Sequence, residues 1–202
     1  MQTIVAATQN ANKIREIDEI TRDFDMRIIS RAEAGIPDSF HIEEDGETFE
    51  ENSWKKAHEI MLRCGQITIA DDSGLAVDCL DGAPGVYSAR FAGPQEDDRA
   101  NNEKLKRLIR DVPWEQRTAR FVSVVTMIWP DGRQLQARGE VEGHLVTEER
   151  GSGGFGYDPL FMPLGYDMTF GEFAPEDKNA ISHRGAALRR LRELLEAEAA
   201  HE

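Results

Sequence analysis

The chain has 202 residues, 40% of them hydrophobic and 31% charged, with a formal net charge of −14. That length supports a real hydrophobic core in one large domain or two small lobes. The acidity argues against the broad basic face that nucleic-acid binding needs, and no apolar run reaches the roughly 20 residues of a membrane span.

In chain order, Thr3 to Ala7 read as a first strand; no basic region precedes them, so they are not a secretory signal. Cys64 and Cys79 match no metal or redox spacing and are expected as buried thiols, which with the missing signal points to the cytoplasm. The polar loop Thr8-Gln9-Asn10-Ala11-Asn12-Lys13 leads into a helix carrying Ile14, Ile17, Ile20 and Phe24 at helical spacing. A strand, a short polar loop and a helix start form a ready anion site, because free N–H groups and the helix dipole point there. Taken alone, an ordinary strand-to-helix connection capped by Asn12 explains the same residues.

Met26 to Ile29 read as a second strand, and residues 30–47 as an irregular connection ending in an acidic run, Glu43, Glu44, Asp45 and Glu47. Thr48 caps the next helix, with Glu51 completing a capping box, and Gly65 stops it. Clustered carboxylates at a helix start repel one another, a strain that a divalent cation relieves. The run Ile69-Ala70-Asp71-Asp72-Ser73-Gly74-Leu75 follows a β-branched stretch. It predicts a strand at 67–70, a loop at the two carboxylates and a new strand at 75–78. Carboxylates at a strand's carboxyl end are well placed to hold a hard cation. Glu43 or Glu44 with Asp72 supplies such a pair if the fold brings them together.

Further on, 97–110 read as a helix with Leu105, Leu108 and Ile109 inward, and 118–129 with 133–141 as a hairpin turning at Pro130-Asp131-Gly132. Gly151 to Pro159 is glycine-rich around Phe155, whose ring suits stacking on a flat base, with Asp158 as an acceptor for its edge. Lys178, His183 and Arg184 stand at the entry to a last helix carrying Leu188, Leu191, Leu194 and Leu195. Cations oppose the dipole there, so they need an anionic or carbonyl-bearing partner. No HExxH, GxSxG or P-loop pattern is present.

These segments, with Gly82-Ala83-Pro84-Gly85-Val86-Tyr87-Ser88-Ala89-Arg90 and Ile181-Ser182-His183-Arg184-Gly185, occur in the order found in the inosine triphosphate pyrophosphatase family, which the chain resembles from residue 3 to about 195. The resemblance implies one α/β domain over 1–202. Its central mixed twisted sheet is flanked by helices, in two lobes with an active-site cleft between them. It further implies a homodimer and Mg2+-dependent hydrolysis of non-standard purine nucleoside triphosphates (dITP, ITP, XTP) to monophosphate and pyrophosphate. By motif, Thr8, Gln9, Asn10, Ala11, Asn12, Lys13 and Ser73 bind the phosphates, and Glu43 and Asp72 hold magnesium. Asp72 also accepts the water proton. Phe155, Gly156, Tyr157 and Asp158 take base and sugar, while Lys178, His183 and Arg184 contact base or phosphates. The chain departs from the family at Gln9, where glycine is usual. Competing classes are a pyrophosphatase of the related Maf type and a nucleotide-binding regulatory module without catalysis. The full set of acidic and basic residues argues against the second.

Overall fold

The computed structural model describes residues 2–200. Strand β1 (Gln2–Ala6) runs parallel to β2 (Met26–Ile29) and to β3 (Thr68–Val77), with Ile4 opposite Ile28 and Ala6 opposite Ile69. With β4 (Thr118–Ile128), β5 (Gln134–Leu145) and β6 (Phe161–Pro163) the sheet has the order β2-β1-β3-β4-β5-β6. β5 and β6 are antiparallel, so the sheet is mixed, as expected, and its linear strand order leaves it open. Among the described residues five α-helices flank it: α1 (Ala11–Thr21), α2 (Phe49–Cys64), α3 (Asp98–Ile109), α4 (Pro175–Ile181) and α5 (His183–Ala199). Among the described residues no helix is long and apolar enough to cross a membrane.

The chain divides into two units, each assembled from separate segments. The first takes the chain up to Asp72, Ser123 to Gly139 and Arg184 onward. Alternation along its strands sends Ile4, Ala6, Ile69, Val125 and Met127 to one face, where Ile17 of α1 and Leu188 and Leu191 of α5 cover them. Val5, Ala7, Ala70 and Ile128 face the other way, under Ala57, Ile60 and Met61 of α2. The second unit, Ser73–Val122 with Glu140–His183, packs Leu105 and Ile109 of α3 with Leu75, Val77, Phe121, Leu145, Phe161 and Phe170.

Several expectations are corrected. β3 runs unbroken through Asp71, Asp72, Ser73 and Gly74, and Gly74 does not adopt positive φ. The two buried carboxylates find ionic partners, so they do not need the local turn that Asp and Ser otherwise favour. Leu108 is 45% exposed; the inward positions of α3 are Asn101, Asn102, Leu105 and Ile109. The cap of α1 is Asn10, whose side chain accepts from the N–H groups of Asn12 and Lys13. Glu51 accepts from Glu47 N–H while Thr48 accepts from Glu51 N–H, so the box at α2 opens one residue wider than expected. Cys64 is half-buried and Cys79 exposed. Helix α4, too short for periodicity to show, precedes α5.

Candidate active site

In the first unit the polar loop leaves the sheet where β1 ends, with Ala7 N–H donating to Ile69 O at 2.8 Å. β3 continues past that point, so Asp71 and Asp72 stand beyond the end of their parallel neighbour. A strand step separates them, and they serve opposite faces. Asp71, 1% exposed, receives Lys13 Nζ at 2.8 Å, Arg184 Nη2 at 3.2 Å and Ser123 Oγ at 2.5 Å. Burial works to raise its pKa, but the charges of Arg184 and Lys13 prevail and hold the carboxyl well below its usual range. Arg184 also pairs with Glu16 of α1. The cation at the start of α5 therefore has internal anions as the partners its position demands.

On the α2 face, Lys56 Nζ donates to Asp72 Oδ1 at 2.7 Å and reaches Glu44 at 3.3 Å. Glu43, by contrast, is exposed, so the carboxylate brought to Asp72 is Glu44. Asn52 holds the connection in place, accepting from Gly46 N–H at 2.8 Å and donating to Gly46 O at 3.4 Å. A side chain at Gly46 would meet Asn52 Oδ1 at 2.6 Å. Burial raises the Asp72 pKa, with Lys56 opposing and Glu44 adding to it. Glu44 is lowered: desolvation is outweighed by Lys56 and Lys13. Oδ2 of Asp72 is buried with no hydrogen-bond partner among the described residues. Such an orphaned oxygen suits a cation or a water proton. Among the described residues no group of three metal-binding side chains converges, but magnesium commonly takes one or two carboxylates and completes its shell with phosphate and water.

The other loop residues have local partners. Thr8 Oγ1 accepts from Asn10 N–H, Asn12 Oδ1 from Arg15, and Gln9 Nε2 donates to Asp38 O at 2.9 Å. Ala11 opens α1.

In the second unit, Asp158 Oδ2 accepts from Phe155 N–H at 2.9 Å and from Lys178 Nζ at 2.7 Å, both carboxylate and ammonium being buried. Lys178 Nζ lies 4.9 Å from the centre of the half-buried Phe155 ring. Gly154 has φ 70°, and a Cβ there would come within 2.1 Å of Asp158 Oδ2, so only glycine fits. Tyr157 OH donates to Ser88 O at 2.7 Å, and burial pushes that phenol's pKa up. His183 is buried, its ring stacked on Phe121 at 4.7 Å, and Ser73 is half-buried in β3.

Sequence reasoning did not assign Glu16, Lys56 or Ser123. Lys56 carried a signal: it falls on the inward stripe Phe49, Ser53, Ala57, Ile60 of α2, where a lysine needs a buried partner.

Fold and site define an α/β protein with a cluster of buried, ion-paired aspartates where β3 passes the loop that opens α1. The sequence model of the Ham1 family matches residues 4–194, and the chain belongs to that family. It is 47% identical to a dITP/XTP pyrophosphatase of Clostridium perfringens over 96% of this chain and 98% of that one. Against the dITP/XTP pyrophosphatase of Desulforamulus reducens the identity is 48% over 95% and 94%. The Staphylococcus aureus Ham1 protein superposes with a TM-score of 0.85 at 38% identity, over 98% of this chain and all of that one.

Proposed function

We propose that this protein is a nucleoside triphosphate pyrophosphatase that hydrolyses dITP, ITP and XTP and so keeps deaminated purines out of nucleic acids. The observation that carries the reading is the buried Lys56–Asp72 pair with Glu44 at its edge, beside Lys13, set within a chain whose relatives bear that activity in their names. Water joins phosphorus, the bond between the α- and β-phosphates breaks, and monophosphate and pyrophosphate separate. Such a displacement needs charge neutralisation and an oriented water rather than covalent help.

Lys56 fixes Oδ1 of Asp72, and Oδ2 accepts the water proton. Lys13, kept in place by Asp71, faces the phosphates at the start of α1. Asp72 and Glu44 would hold magnesium, which supplies neutralisation of the phosphate charge. Phe155 to Asp158, Lys178 and His183 handle the base. Arg184, buried on Glu16 and Asp71, acts at the phosphate end through Asp71. The enzyme works as a homodimer in the cytoplasm on free nucleotides, and its net charge of −14 supports the absence of nucleic-acid partners.

The test is incubation with magnesium and dITP, XTP, dATP or dGTP, with products separated by chromatography. Conversion of dITP and XTP to monophosphate and pyrophosphate, with dATP and dGTP spared, is expected; orthophosphate as product refutes the bond assignment. Asp72→Asn lowers turnover by roughly 10²–10⁴. Near-full activity of that variant removes Asp72 from the chemistry.

A further inference from the structure

The segment Gly82 to Arg90 and helix α3 have no part in the reaction described above, yet both bond to the aromatic loop. Asp98 Oδ2 accepts from Gly156 N–H at 2.9 Å, and Asn102 Nδ2 donates to Gly156 O at 3.0 Å. One turn of α3 thus grips both polar groups of a single residue, one with φ 59°. The next residue, Tyr157, is tied by its hydroxyl to Ser88 O. That turn is itself fastened to α3, because Asn101 donates to Ala89 O at 2.8 Å and accepts from Ala92 N–H at 2.6 Å.

Asn102 is 5% exposed, and its Oδ1 is buried with no hydrogen-bond partner among the described residues. A half-satisfied buried amide is a poor choice for stability, since an apolar side chain of similar size avoids the desolvation cost. Its presence calls for another reason, and the bond to Gly156 supplies one. Asn52 treats Gly46 the same way in the first unit, gripping N–H and C=O of the glycine within the acidic run.

We infer that Asp98 and Asn102 are positioning residues for substrate: they fix the Gly156 backbone and thereby the Phe155 ring and Asp158 on either side of it. The inference rests on the proposed role of Phe155 to Asp158 at the base. Two readouts separate it from that role. Amide hydrogen exchange, followed without substrate, is expected to speed up about tenfold across 154–158 in Asp98→Ala and Asn102→Leu, and to stay slow in Asp98→Asn, which keeps an acceptor oxygen. Steady-state kinetics with dITP and magnesium should then show KM raised about tenfold in Asn102→Leu with kcat little changed, the loss of about one hydrogen bond's worth of binding. The melting temperature of Asn102→Leu should equal or exceed that of the unaltered protein, an opposition that a merely structural asparagine does not produce. Unchanged exchange overturns the clamp. Faster exchange with unchanged KM overturns its role in substrate positioning. Failure of the unaltered protein to cleave dITP sinks the pyrophosphatase reading and, with it, the substrate role.

Discussion

Asp71→Asn tests whether the first unit is organised around one buried carboxylate. The substitution keeps size and shape but removes the charge that Lys13 and Arg184 meet at 2.8 and 3.2 Å. At an effective dielectric constant of about 20, each of those pairs is worth about 5 kcal/mol of gross attraction. Against this, the variant no longer has to desolvate a carboxylate, a relief of several kcal/mol. The net expectation is a loss of about 3–5 kcal/mol, the usual result of leaving buried charge without its partner. For a chain of this length that lowers Tm by roughly 6–20 °C. The assay is thermal and urea unfolding of both proteins from pH 7 down to pH 3. Because the folded pKa of Asp71 is depressed, its contribution is complete above the unfolded carboxylate value of about 3.9 and fades as pH falls toward the folded one. The gap between the proteins should hold steady down to about pH 4 and narrow below it. A gap under about 1 kcal/mol at pH 7, or one that widens in acid, refutes the reasoning.

Lys56→Met leaves Asp72 and Glu44 facing each other without their shared cation, so the pair takes up a proton at higher pH than in the unaltered protein. With folded pKa raised, stability is retained in acid and lost as pH rises, and denaturation at pH 5 and pH 8 should show a larger deficit at pH 8. Magnesium should restore Tm more in this variant than in the parent; an equal response removes the carboxylate pair as its site. Gly154→Ala combines strained backbone with a methyl placed 2.1 Å from Asp158 Oδ2, whereas Gly156→Ala has positive φ but nothing within 4 Å. Chemical unfolding should show the first losing more than about 2 kcal/mol and the second about 1 kcal/mol. Equal losses argue that Asp158 is not packed against the loop.

Much of the architecture was legible where periodicity and caps agreed. Met26 to Ile29, the Thr48 cap and the Gly65 stop fall where their residue types put them, because local propensity and tertiary packing coincide there. The Asp-Asp-Ser-Gly run misled because its residue types are those of a turn, while the forces that keep it extended come from Lys13, Lys56, Ser123 and Arg184, far away in sequence. Leu108 failed for a similar reason: the helical stripe of α3 is carried by Asn101 and Asn102, polar residues that a hydrophobic pattern does not count. Glu44 rather than Glu43 follows from the course of an irregular connection, which has no period to read.

The adjacent aspartates also show how much depends on strand frame. A chain reading Asp-Asp looks redundant, as though either residue were a spare for the other. On a strand with a period of two, neighbours are the least interchangeable positions available, since a shift by one inverts every side chain. Here the frame is locked upstream, by Val5 against Thr68 and Ala6 against Ile69. An error there would exchange a carboxyl held well below its usual pKa for one pushed above it. The pairing of two short apolar strands thus decides which of two identical letters meets Lys56 and which meets Lys13 and Arg184.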